Sequence, residues 1–76
     1  MLGVQLRMAR AALGLGVRDV AERSGVSAFT IVRIEAGEQV KDSTLNKVQV
    51  ALEAAGVIFV PENGEGPGVR LRKPKT

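Results

Sequence analysis

Residues 17–37, VRDVAERSGVSAFTIVRIEAG, decide how this chain folds. They read as a helix, a tight turn and a second helix. Val20 and Ala21 face inward on the first element, and Val26, Ile31 and Ile34 do so in and beyond the turn. Ala21 is small where two helices must cross closely. Gly25 stands where the first helix stops and the backbone needs a residue that tolerates positive φ. Ser27 is then placed to cap the second helix, its hydroxyl accepting from an otherwise unpaired backbone N–H.

That order is the sequence form of a helix-turn-helix, whose second helix can enter the DNA major groove. The segment resembles the Cro/lambda-repressor-type helix-turn-helix of the XRE family. The likeness is carried by Val20-Ala21, Gly25-Val26-Ser27, Thr30-Ile31, Arg33-Ile34-Glu35 and Gly37, extended by Thr44-Leu45 and Ala51-Leu52. It covers roughly residues 3–56. The resemblance implies a mainly α, four-helix, lambda-repressor-like domain that binds operator DNA, usually as a dimer. It also implies that Arg10 pairs with Glu35, because family members join such an Arg to the Glu of the recognition helix. Read from the residues alone, Arg10 is a solvated surface charge, with a direct phosphate contact as the lesser alternative. The chain departs from the family at Val17, where many members carry a Gln that touches DNA.

Working outward, residues 2–13 form the first helix, with Leu2, Leu6, Ala9 and Leu13 on its inward stripe. Gly14 and Gly16 open a short connection to the second helix, which keeps Arg18, Asp19, Glu22 and Arg23 outside. Residues 28–36 make the candidate recognition helix. With Ile31 and Ile34 inward, Ala28, Phe29, Val32 and Arg33 are left for the outer face, bordered by Ser27 and Thr30. Arg33 is suited to chelate O6 and N7 of a guanine, a pairing worth about 1–3 kcal/mol of discrimination. Ala28, Phe29 and Val32 can meet thymine methyls but cannot read a hydrogen-bond pattern. An apolar face of this kind also fits contact with another protein. In the following loop Gln39 and Lys41 can grip phosphate beside Glu38. Asp42 or Ser43 is expected to cap a fourth helix that runs to about Ala55, with Leu45, Val48, Leu52 and Ala55 inward.

After Gly56 the pattern turns strand-like. Val57-Ile58-Phe59-Val60 is β-branched and aromatic, and Val69-Arg70-Leu71-Arg72 alternates apolar with basic. The turn-rich residues 62–68, ENGEGPG, close the two into a hairpin. Lys73, Pro74, Lys75 and Thr76 are expected to fray. The chain thus divides into residues 1–56, the helix-turn-helix unit, and residues 57–76, a hairpin with a basic tail. An isolated hairpin is marginal in water and exposes strand edges. Val57, Ile58, Phe59, Val60, Val69 and Leu71 are therefore expected to dimerise two chains; the alternative is a tail folded back on its own helices.

Composition narrows the function classes. A chain of 76 residues buries only about 60% of its unfolded surface, which makes a partner useful. It has no Cys and no His, so thiolate metal sites, disulfides and imidazole general bases are absent. No acid–base pair or nucleophile with its base stands at useful spacing, and neither enzymatic activity, metal nor cofactor is expected. The net charge of +3 comes from the tail, because residues 1–69 hold seven Lys/Arg against eight Asp/Glu. Without a signal-like start or a long apolar run, a soluble cytoplasmic protein with no membrane contact is expected. The leading expectation is a sequence-specific DNA-binding transcriptional regulator, a repressor binding a short palindromic operator as a homodimer. The alternatives are the antitoxin of a toxin–antitoxin pair, which represses its own operon and has a toxin partner, and a protein-interaction module that has lost DNA binding.

Overall fold

The computed structural model describes residues 1–72. It runs α1 (Gly3–Leu13), α2 (Val17–Ser24), α3 (Ala28–Glu35), α4 (Asp42–Ala55), β1 (Val57–Val60) and β2 (Gly68–Leu71). The architecture is mainly helical, with four helices and one short antiparallel hairpin, as expected. The expected fraying of residues 73–76 lies outside the described residues.

The turn between α2 and α3 forms as its residue types dictate. Gly25 takes φ 72° and its N–H donates to the Ala21 carbonyl at 2.9 Å, ending α2. Ser27 is extended, and its Oγ accepts from the Thr30 N–H at 3.2 Å, starting α3. Two residues therefore redirect the chain, and Val26 between them turns inward. The core gathers Leu6 and Ala9 from α1, Val20 from α2, Val26, Ile31 and Ile34 from the turn and α3, Val48 and Leu52 from α4, and Val57 from β1. Each large aliphatic side chain so buried is worth about 1.5–3 kcal/mol relative to exposure.

Four boundaries differ from expectation, the first being that of α3, which ends at Glu35 with Ala36 as its C-cap. Leu2 is not part of the buried stripe: it precedes α1 as the N-cap residue and is 54% exposed. Neither Asp42 nor Ser43 caps α4. Lys41 occupies the cap position without a side-chain bond, and Asp42 falls in the first turn, where its charge complements the helix dipole. β2 begins one residue early, at Gly68, though Arg72 still continues the ladder by donating its N–H to the Gly56 carbonyl at 2.8 Å.

The hairpin pairs Val57 with Leu71, Ile58 with Arg70, Phe59 with Val69 and Val60 with Gly68. It is not a free appendage. Val57 is fully buried in the chain's own core, with Phe59 and Val69 packed against that core. Val57 is thereby removed from the set of residues that a second chain can bury, because it is already fully buried among the core residues of its own chain. Ile58 and Leu71 remain 44% and 58% exposed. The fastening to α1 comes from Gln5, the one buried polar residue among the described residues. Its Nε2 donates to the carbonyls of Val60 at 2.9 Å and Gly68 at 3.1 Å, one on each strand. Its Oε1 accepts from the Leu2 N–H at 2.8 Å.

Candidate nucleic-acid interface

The candidate surface begins at the N-terminus of α3. Ser27 holds this end through its cap and a hydroxyl–hydroxyl bond to Thr30 Oγ1 at 2.9 Å. With Ile31 and Ile34 turned into the core, the opposite face of α3 is left to water. Phe29 is 72% exposed and Val32 is exposed, while Ala28, Thr30 and Arg33 are half-buried. Arg33 lies one turn after Phe29, its Cζ 5.9 Å from the ring centroid, in the range of a cation–π contact.

The loop to α4 closes the other side. Thr30 and Arg33 of α3 line an open groove with Gln39, Val40 and Lys41 of the loop and Thr44 of the first turn of α4. The folded chain therefore brings Arg33, expected at bases, to the same place as Gln39 and Lys41, expected at phosphate. Thr44 also lines the groove, a residue that sequence reasoning does not place there. The signal that could have found it is the run Asp42-Ser43-Thr44 just past the loop, where one turn of helix brings Thr44 back to Lys41, its N–H donating to the Lys41 carbonyl at 3.0 Å. Glu38 also enters this surface, its Oε1 accepting from Arg33 Nε at 3.0 Å. The negative charge beside Arg33 leaves the surface only weakly basic.

Behind α3, Arg10 of α1 reaches Glu35. Arg10 Nε donates to Glu35 Oε2 at 2.6 Å and Nη2 to Oε1 at 3.0 Å, and Nη1 donates to the Leu15 carbonyl at 3.3 Å. The side chains are 24% and 12% exposed, so water screens the pair only in part. The bonded carboxylate raises the Arg10 pKa above its ordinary value, and partial burial opposes that rise. This pair holds the C-terminal end of α3 to α1, which sets how the outer face of α3 is presented. Val17 is partly buried and packs against the core. Among the described residues no group of three or more His, Cys, Asp or Glu is placed to hold a metal ion. No described helix is long and apolar enough to cross a membrane.

Two helices joined by a glycine turn, the second capped, outward-facing and flanked by a polar loop, define a helix-turn-helix module of the DNA-binding class. The chain belongs to the helix-turn-helix domain family, whose model matches residues 1–57. No curated protein matches the chain.

Proposed function

We propose that this protein is a sequence-specific transcriptional regulator of the Cro/XRE type, a cytoplasmic repressor that binds a short palindromic operator as a homodimer. The observation that carries the reading is the shared groove at the exposed face of α3, where Arg33 meets Gln39 and Lys41. In this reading α3 lies in the major groove. Ser27, Ala28, Phe29, Thr30, Val32 and Arg33 approach base edges and flanking phosphate, and Gln39 and Lys41 hold the backbone. The second subunit is supported by the two-stranded hairpin, which leaves strand edges open and Ile58 and Leu71 exposed. Pairing about a two-fold axis sets the two recognition helices about 34 Å apart, one turn of DNA.

Selection from a random DNA pool tests the reading, followed by salt titration of the selected duplex. A palindrome bound by a dimer, with affinity falling steeply as salt rises, is the expected result. No enrichment at low salt excludes it. A second reading is favoured by the exposed Phe29 and Val32, which form an apolar strip on the same face. In that reading α3 docks a protein partner, as an antitoxin docks a toxin or as an interaction module without DNA binding does. Lack of DNA enrichment favours the interaction module, whereas an antitoxin that represses its own operon still selects DNA.

A further inference from the structure

We infer that Glu38 is a positioning residue for Arg33, holding its guanidinium so that Nη1 and Nη2 together face one guanine in each half-site. The inference rests on the DNA-binding reading above and assigns a role to a residue that touches no base itself.

The backbone builds the arrangement first. After α3 the chain reverses through Gly37, whose φ of 85° only glycine adopts without strain. The Gly37 N–H donates to the Ile34 carbonyl at 3.0 Å and the Glu38 N–H to the Arg33 carbonyl at 3.1 Å. These two bonds form a Schellman closure, which fixes Glu38 over the last turn of the helix. Glu38 and Arg33 are therefore tied twice, once through the main chain and once from Arg33 Nε to Glu38 Oε1. Phe29 flanks the guanidinium on the helix side.

The guanidinium is planar and carries five N–H donors in a fixed fork. Glu38 engages the donor at Nε. Among the described residues neither Nη1 nor Nη2 has a protein acceptor. Those two nitrogens are the pair that can meet O6 and N7 of guanine end-on. Holding Nε in advance reduces the side-chain freedom that Arg33 loses on binding. The Glu38 carboxylate also repels a phosphate at the same point, so it favours a base edge over the backbone as the acceptor for Arg33. An unheld arginine of equal charge serves either acceptor.

The test uses the full chain and the duplex selected with it, beside the same duplex carrying A·T in place of the G·C pair assigned to Arg33. Discrimination is the ratio of the two affinities. Glu38→Ala is expected to bind all DNA more tightly because repulsion is lost, yet to discriminate less by about fivefold per half-site. Glu38→Gln, whose amide oxygen still accepts from Nε, shares the general gain and recovers part of the discrimination. In an Arg33→Ala background, Glu38→Ala changes affinity for both duplexes alike. The exposed pair contributes little to stability, so both variants keep the fold. Unchanged or sharpened discrimination in Glu38→Ala overturns the inference while leaving DNA binding intact. Failure of the unaltered protein to select any sequence instead overturns the DNA reading, and this inference with it.

Discussion

Arg10 and Glu35, 25 residues apart in sequence, close a two-bond fork between α1 and the end of α3, with Nε to Oε2 at 2.6 Å and Nη2 to Oε1 at 3.0 Å. An exposed pair is worth ~0–1 kcal/mol, whereas breaking a buried one costs about 3–5. The partial burial of this pair places Arg10→Ala between those limits, at about 2–3 kcal/mol of lost stability. A double-mutant cycle with Glu35→Ala, followed by urea unfolding, measures the coupling. A coupling near zero removes the pair from the forces that hold α3. Because the folded-state pKa of Arg10 is raised, its contribution is fully present below the ordinary Arg pKa. It is lost only as pH rises further, into the strongly alkaline range.

Gly3 supports the same junction by having no side chain. A Cβ at this position would overlap the Ile34 carbonyl oxygen and press on the Glu35 Cα, both of them backbone atoms with little room to yield. In an unobstructed helix, Gly→Ala stabilises by about 0.5–1 kcal/mol. Here the sign is expected to reverse, with Gly3→Ala losing about 1–3 kcal/mol through overpacking. Thermal unfolding of the single variant is enough, and a raised Tm would contradict the close approach.

Gln5 is expected to matter most for the hairpin. Gln5→Leu leaves the Val60 and Gly68 carbonyls without the amide that now serves both, and a buried polar group left unpaired costs about 1–3 kcal/mol. Hydrogen exchange should show the amides of β1 and β2 opening before those of α4. Equal protection of hairpin and helices in the variant argues that apolar packing alone holds the hairpin.

For DNA, Arg33 and Lys41 are expected to fail differently. Arg33→Ala should relax preference at one base pair of each half-site. Lys41→Ala should weaken every sequence alike. It should also make the slope of log affinity against log salt shallower by about 0.9 for each phosphate the protein no longer neutralises. Binding titrations on selected and scrambled duplexes at several salt concentrations separate the two. A uniform drop in affinity for both variants assigns both side chains to phosphate.

The helix-turn-helix was legible from residue order because its signals are local. Gly25, Ser27 and the spacing of Val20, Val26, Ile31 and Ile34 act within a few residues of one another, and the structure uses each as its chemistry suggests. The outward set on α3 followed from the same periodicity: once Ile31 and Ile34 face inward, Phe29 and Val32 have nowhere else to go.

What residue order left open involved partners far along the chain. Four successive apolar residues in β1 carry no alternation, so nothing in them said which side meets the chain's own helices; packing against α1 and α4 decided for Val57 and Phe59. Gln5 looked like an ordinary helix residue until folding brought it to Val60 and Gly68, 55 and 63 positions further along the chain. Glu38 was a loop charge until the reversal at Gly37 set it on Arg33. Local backbone preference and hydrophobic period determine which elements form. Which polar side chain meets which partner depends on how those elements dock, and only tertiary packing supplies that geometry.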